Sequence, residues 1–402
     1  MKNLNSKIPL SVWAIGFAGM LINISTVMVF GIAAQYIQTV MGLGAGFVIR
    51  LEGFFEATAY VMKLFSGVIS DYLRRRKSVM VLGFVMVTIA RPLLAIFESF
   101  TAVFLARTLD RIGNGIQSTP RDALVNDLAP EDAKGACFGL RQSLAVAGSF
   151  LGSIVGIGCM FLTNNDFRSV FMYASIPAII SLCLLLFFVK DPHEKEVTAD
   201  KKPIRHPLHF KDLTRLGRPY WILMIVVFVF MSARVGESVL VIHAVDSFGM
   251  DRGFSHAILI LYNGMNSLCS YPIGRLSDRL GRYWFLALSF VVLMLADAFL
   301  GLAPNIWVML IGVALWGIQI GMSQSMFLSI IADTIPEDLR GTGIGFFYLI
   351  NAAALYMAGM IGGHVADVFS KFAMFITSGV IGAAALVLLL VLRPLLQIKV
   401  KN

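Results

Sequence analysis

Long apolar runs separated by short polar stretches recur along the whole chain, over approximate spans 9–38, 45–70, 78–98, 101–126, 135–162, 168–190, 218–245, 254–276, 283–301, 305–332, 340–367 and 371–397. A hydrocarbon core about 30 Å thick needs roughly 20 residues of a helix rising about 1.5 Å per residue. The pattern therefore predicts twelve transmembrane helices. Barrel strands would instead alternate in polarity over segments of about ten residues. No such alternation occurs, so the fold expected is an all-α membrane protein.

Composition strengthens that expectation. Of 402 residues, 57% are hydrophobic and 14% charged, and the mean hydropathy is +0.79, whereas a soluble domain carries about one quarter charged residues. Lys and Arg set the orientation. With Met1 inside, the inner loops hold Arg74, Arg75, Arg76, Lys77, Lys134, the basic segment from Lys190 to Arg218, Arg279, Arg282, Arg340 and Lys399, against Arg168, Arg252 and Lys371 outside. An excess of cations marks the cytoplasmic side, so both termini are expected there. The net charge of +9 is then mainly a topology signal that anchors to lipid head groups, and no nucleic-acid partner is expected.

The first residues, "MKNLNSKIPLSVWAIGFAGML", have the lysines and apolar run of a secretory signal. The run is too long for one and lacks a small-x-small cleavage site, so it reads as the first span. Cys137, Cys159, Cys183 and Cys269 fall inside spans without paired or metal-like spacing and read as small apolar fillers. With no phosphate loop, haem or zinc motif, neither an enzyme, a metal nor a cofactor is expected.

An internal repeat organises the chain. "GVISDYLRRRK" from Gly67 is echoed by "GRLSDRLGRYW" from Gly274, and "NDLAPEDAKGACFG" from Asn126 by "ADTIPEDLRGTGIG" from Ala332, both offset by 206–207 residues. The expected division is an N-terminal six-helix bundle at 1–190, a polar, basic linker at 191–217 and a C-terminal bundle at 218–402. Two parallel repeats related by an axis along the membrane normal suit a rocking transporter.

Gly67, Asp71 and the cations after it, Arg75 among them, together with Gly274, Asp278, Arg279, Gly281 and Arg282, resemble the signature loops of the major facilitator superfamily. "RTLDRIGNG" from Arg107 is similar to its fourth-helix motif, and "STPRDALVNDLAPEDAKGACFGL" to a bacterial, efflux-permease-like branch. The resemblance spans essentially the whole chain. It implies a bacterial inner membrane, and it implies that Asp71 and Asp278 latch the cytoplasmic side by accepting hydrogen bonds or charge from the other bundle. A plain topology anchor is the alternative. Arg74 stands where the loop pattern has Gly, and "GSFLGSIVG" lacks the Gly-Pro pair of the antiporter motif.

Scaffold positions should recur in both halves, whereas positions touching one asymmetric solute need not. Arg121 and Asp122 face Phe327 and Leu328 at the repeat offset, Asp110 faces Trp316, Glu56 faces Asn263 and Arg234 faces Met28. Charges in the membrane cost several kcal/mol unless they meet a partner or water. At about 100° per residue, Glu52, Glu56 and Lys63 share a face, and Arg107, Asp110, Arg111, Asn114, Gln117, Ser118, Arg121 and Asp122 form a stripe over an arc of about 140°. Such a stripe should line water. Pro120 is expected to bend that helix. Arg91 adds a cation in the third span, and His243 reads either as a proton carrier or as a hydrogen-bonded interface residue.

The expected function is secondary active transport by alternating access, proton-coupled, of a small organic anion such as a carboxylate metabolite or siderophore. Guanidinium groups bind carboxylate and phosphate bidentately, which makes Arg107, Arg111, Arg121, Arg141 and Arg234, with Asn114, the candidate substrate ligands. Two carboxylates one turn apart cannot both ionise cheaply, so Glu52 and Glu56 are proton-coupling candidates, with Asp110, Asp122 and Glu237. Mutually neutralising structural ion pairs are the bland alternative. The other functions weighed are proton-driven efflux of amphipathic drugs and a non-transporting membrane sensor, for which the linker is too short. Partners are the solute, protons and membrane lipids, and a monomer is expected.

Overall fold

Inside hydrocarbon every backbone N–H and C=O must be satisfied within the protein, which favours uninterrupted helices. The computed structural model describes residues 8–73, 75–130, 133–189, 213, 215–335 and 339–396, apart from the side chains at 71, 271, 274, 275, 278–280, 324, 325, 328, 329, 332, 333 and 340. Among the described residues no strand occurs. The helices are α1 (Leu10–Thr39), α2 (Ala45–Leu73), α3 (Arg76–Ile96), α4 (Phe100–Leu128), α5 (Lys134–Leu162), α6 (Phe167–Tyr173), α7 (Ser175–Phe188), α8 (Arg218–Ser232), α9 (Ser238–Phe248), α10 (Ser255–Leu280), α11 (Arg282–Gly301), α12 (Ile306–Thr334), α13 (Arg340–Val368) and α14 (Lys371–Val391). Each of the twelve expected spans is helical.

Among the described residues, eight spans are long and apolar enough to cross a membrane by length and composition alone: α1, α3, α5, α6 with α7, α11, residues 306–323 of α12, α13 and α14. The other four fall short for visible reasons. Helices α2 and α4 carry ionisable side chains, and α10 carries His256, Asn263 and Asn266. The expected single span 218–245 is two helices, because the chain leaves helical geometry between Ser232 and Ser238. The span at 168–190 is likewise divided, at Ala174. By contrast, α4 continues through Pro120.

Caps define several ends. The side chains of Ser99, Asp166, Asn305 and Ser370 accept backbone N–H groups at the starts of α4, α6, α12 and α14, satisfying donors that the helix itself leaves open. Gly281 joins α10 to α11 at φ +103°, a backbone region that L side chains avoid.

Contacts gather the chain into two compact units, Met1–Ala33 with Thr58–Pro207, and Ala34–Ala57 with Leu208–Asn402. The core of the first includes Ile15, Ile22, Phe84, Val87, Leu124 and Leu185. Its helices approach closely at small residues: a Cβ added at Gly113 would lie 2.6 Å from the Gly83 carbonyl oxygen, and one at Gly152 2.8 Å from Ile24 Cα. Small residues give membrane helices the dispersion contact that lipid does not supply.

The second unit centres on an aromatic stack. Phe230 and Phe290 have centroids 3.9 Å apart, with Phe327 5.6 Å from Phe230. The part of α2 that belongs to this unit packs on α13, where a Cβ at Gly53 would lie 2.7 Å from Gly359 Cα. Arg50 pairs with Asp367 at 2.8 Å in the same contact.

Candidate functional site

The polar stripe of α4 resolves into two groups, both within the first unit. In the deeper one, Asp110 is surrounded by three guanidinium groups. Arg91 Nη2 lies 3.0 Å from Oδ1, and Arg107 Nη1 and Arg111 Nε lie 3.7 and 3.5 Å from Oδ2. Arg91, Arg107 and Asp110 are fully buried. Arg91 also donates to Ser25 Oγ at 2.9 Å and Thr26 Oγ1 at 3.0 Å, so α3 is fastened to both α1 and α4. Asn114 donates to Asp110 Oδ1 at 3.1 Å and accepts from Gln117 Nε2 at 2.9 Å. The Arg107 and Arg111 guanidiniums lie 5.8 and 5.0 Å from the centroid of the Phe30 ring, a favourable cation–π arrangement.

Nearer the α4 C-terminus, Arg121 Nε and Arg141 Nη1 lie 3.4 and 3.3 Å from the same Asp122 oxygen. The Asp122 side chain is 46% exposed and the two arginines about one seventh. Arg141 Nε is buried with no hydrogen-bond partner. Two cations thus share one partly exposed carboxylate. Lys63, on the α2 face that carries Glu52 and Glu56, sits over the Tyr60 ring at 4.1 Å.

A third group lies in the second unit, around the interruption between α8 and α9. This interruption carries Arg234 and Gly236 and ends at Glu237, which precedes α9. Tyr262 on α10 donates its hydroxyl to Glu237, with Arg234 and Glu56 near enough to act on it electrostatically. Glu52 is buried, and its Cβ lies 3.7 Å from where a Gly236 Cβ would be. Arg234 Nη1 is 3.3 Å from Met231 Sδ, and its Nε is buried without a hydrogen-bond partner. Broken helices place free backbone ends and charged side chains together at mid-membrane sites of transporters.

The expected site residues therefore fall into three groups: Arg107, Asp110, Arg111 and Asn114; Arg121, Asp122 and Arg141; and Glu52, Glu56, Arg234 and Glu237. Of the signature-loop residues, Gly67 lets α2 approach α4, since a Cβ there would meet Thr119 Cγ2 at 3.1 Å. Arg75 is exposed and Arg282 half-buried. Arg76, the residue after Arg75, forms an ion pair with Asp127 and donates to the Ala123 carbonyl at 3.0 Å. Arg74 and the side chains of Asp71, Gly274 and Asp278 lie outside the described residues. His243 is a hydrogen-bonded interface residue, 3.2 Å from the Leu300 carbonyl and 3.1 Å from Ser247 Oγ.

Three features carry no motif. Tyr262 reads as an ordinary aromatic of a span. Arg50 and Asp367 come together only through the packing of α2 on α13. Asp297 on α11, fully buried, accepts from Trp316 Nε1 at 3.2 Å and lies 2.6 Å from Ser378 Oγ. The repeat offset is the signal that could find it, because Asp297 stands 206 residues after Arg91 and Trp316 206 after Asp110.

The model of the Major Facilitator Superfamily matches residues 15–260 and 223–402. An MFS-type transporter of Methanocaldococcus jannaschii is 25% identical over 358 residues, 88% of each chain. A gentisate transporter of Corynebacterium glutamicum is 23% identical over 342 residues, 82% of this chain and 76% of its own. Among solved structures, a POT family transporter in complex with 5-aminolevulinic acid has a TM-score of 0.82 at 15% identity, over 98% of both chains. That last likeness is one of fold.

Proposed function

The chain belongs to the Major Facilitator Superfamily, and on that premise we propose that it is a proton-coupled secondary transporter of a small organic anion. It is a multi-pass membrane protein, and the family carries small-molecule solutes. The finer reading is carried by the Arg121–Asp122–Arg141 group, in which two guanidiniums meet one partly exposed carboxylate. A carboxylate or phosphate of the solute would complete the charge balance and accept bidentate hydrogen bonds. Arg107, Arg111, Asn114 and Arg234 are assigned to the same task. The relative named as a gentisate transporter is in keeping with an organic anion.

Coupling is assigned to carboxyl groups in the spans: Glu52, Glu56 and Glu237 around the α8–α9 interruption, with Asp110 and Asp122 on α4. A carboxyl beside a hydroxyl donor and a guanidinium exchanges its proton according to which partner faces it. Bundles at 1–190 and 218–402 would rock about the solute, in a bacterial inner membrane with both termini cytoplasmic and the protein a monomer. Asp71 and Asp278 would latch the cytoplasmic side.

The test is uptake into proteoliposomes under an imposed pH gradient, with a panel of radiolabelled organic acids. The wild type should accumulate at least one of them, and Arg121→Gln and Arg141→Gln should abolish that uptake. A wild type that accumulates none of the acids but expels a cationic dye would establish drug export instead. A Glu56→Gln protein with unchanged pH dependence would remove Glu56 from coupling.

A further inference from the structure

Asp297 is a buried carboxyl group that the site described above does not use, and among the described residues helices on several sides hold it without a cation. From α12, Trp316 Nε1 donates to Oδ1 at 3.2 Å. From α14, Ser378 Oγ lies 2.6 Å from Oδ2, and a Cβ at Gly379 would sit 3.4 Å from Asp297 Cβ. Ser378 Oγ also makes a short hydrogen bond with the carbonyl oxygen of Ala233. Ala233 is the C-cap of α8, so this is a carbonyl at a helix end, where the negative end of the helix dipole gathers.

Among the described residues, the segment between α8 and α9 carries Arg234, whose Nη1 is directed to Met231 Sδ, and Glu237, which accepts from Tyr262. From α9, His243 faces the Leu300 carbonyl of α11 and the rings of Phe372 and Phe375. Among the described residues no Arg, Lys or His pairs with Asp297, whose polar neighbours are Ser378 and Trp316.

Counting protons decides the state of this carboxyl. A serine hydroxyl has one hydrogen to donate, yet Ser378 Oγ is within bonding distance of two oxygens, Ala233 O and Asp297 Oδ2. Were Asp297 ionised, one of those two contacts would bring oxygens together with no proton between them. With Asp297 protonated the count closes: the carboxyl donates to Ser378 Oγ, Ser378 donates to the Ala233 carbonyl, and Trp316 donates to the remaining carboxyl oxygen. We propose that Asp297 is a proton-binding site, occupied in this conformation, whose protonation state is relayed by the orientation of the Ser378 hydroxyl to the interruption that carries Arg234 and Glu237.

Release of the proton redirects the Ser378 hydroxyl to the carboxylate and strips the Ala233 carbonyl of its donor, which frees the interruption to rearrange. The binding of the proton stands on geometry alone. Its use in a transport cycle rests on the proton-coupled reading given above, and the two can fail separately.

The experiment needs no identified solute. In full-length protein reconstituted in lipid, infrared difference spectra recorded between about pH 5 and pH 10, a window wide enough for a perturbed carboxyl, should show a protonated-carboxyl stretch that disappears on alkalinisation and is missing in Asp297→Asn. Ser378→Ala should keep that band but shift it, because the acceptor of the carboxyl proton is gone. In parallel, amide hydrogen exchange at 233–237, scaled to the intrinsic rate at each pH, should accelerate in the wild type as the band disappears and should not depend on pH in Asp297→Asn. Spectra in which wild type and Asp297→Asn coincide throughout overturn the proton site. A band unmoved by Ser378→Ala overturns the bridge, and that variant decides the matter if Asp297→Asn does not fold. A titrating band without any change in exchange at 233–237 overturns the coupling to the interruption. A protein that passes all three tests and yet transports independently of pH would refute the proton-coupled function while leaving the site intact.

Discussion

The α3–α4 pair and the α11–α12 pair are counterparts in the repeat, and each buries a polar couple at matching positions. In the first, Arg91 meets Asp110 at 3.0 Å and two more arginines stand around the carboxylate. In the second, Asp297 takes the place of Arg91, Trp316 takes that of Asp110, and the contact is an indole hydrogen bond of 3.2 Å. The same scaffold position therefore holds a permanent cation in one half and a titratable acid in the other. A guanidinium cannot lose its proton in a protein, so in the first couple Arg91 is a fixed electrostatic strut whose charge persists whatever proton Asp110 exchanges. A carboxyl among neutral donors can change charge, so the second can report a proton. Architecture is shared between the halves while the chemistry is not.

Removing the strut should have the largest effect. Arg91→Met leaves Asp110 without its shortest ion pair and orphans Ser25 and Thr26, and breaking a buried pair from one side costs about 3–5 kcal/mol. Asp297→Asn keeps shape and loses no ion pair, so its cost should be about 1 kcal/mol, the scale of one neutral hydrogen bond. Thermal unfolding in detergent compares them, and equal losses would erase the distinction between strut and switch.

Packing at the two crossings gives the next contrast. A methyl at Gly113 would press on a backbone carbonyl at 2.6 Å, whereas one at Gly312 first meets the Leu300 side chain at 2.8 Å. Overpacking against rigid backbone costs about 1–3 kcal/mol. Gly113→Ala should therefore lower the unfolding temperature more than Gly312→Ala, because a leucine can change rotamer and a carbonyl in a helix cannot. The reverse order would show that the α3–α4 crossing is the softer one.

Smaller still is the indole bond itself. Trp316→Phe deletes the donor to Asp297 Oδ1 while keeping an aromatic ring, and should cost about 1–2 kcal/mol and move the Asp297 infrared band. A loss without band movement would assign the effect to packing alone.

The smallest effects distinguish the helix starts. Asp166 caps α6 and Ser370 caps α14, and replacing either by Ala should cost about 1 kcal/mol. Only the first should depend on pH. The Ser169 hydroxyl bond, reinforced by the backbone N–H groups of Arg168 and Ser169 and by the nearby Arg168 charge, outweighs burial and holds the Asp166 carboxyl below its ordinary range. The stabilisation from this group is complete above the unfolded carboxyl value, about 3.9, and is lost as pH falls through the lower folded value. The difference between wild type and Asp166→Ala should thus shrink in acid, and the difference for Ser370→Ala should stay constant.

Twelve spans, the repeat and the charge-bearing face of α4 were legible in the chain itself, because bilayer thickness and helical periodicity act on local sequence. Arg121 and Arg141, candidate substrate ligands in the sequence, and Asp122, a coupling candidate, meet at one carboxylate. The interruption of the seventh span was not legible. Residues 233–237 are flanked by strongly apolar helices, and a hydropathy window averages Arg234 and Glu237 into them, while Ser378 caps the buried Ala233 carbonyl from 145 residues away. Arg50 and Asp367, and Asp297 and Ser378, are likewise joined only by how α2 lies on α13 and α11 on α14.

Residence in the membrane, the helical nature of the apolar spans and the placement of charge along each helix follow from the amino-acid sequence, since each depends on the cost of putting particular side chains into oil. Which of those charges neutralise one another, and which acid is left to hold a proton, was decided by tertiary packing. Coulomb and hydrogen-bond energies depend on distances of a few ångströms between residues far apart in the chain, and only the folded chain sets those distances.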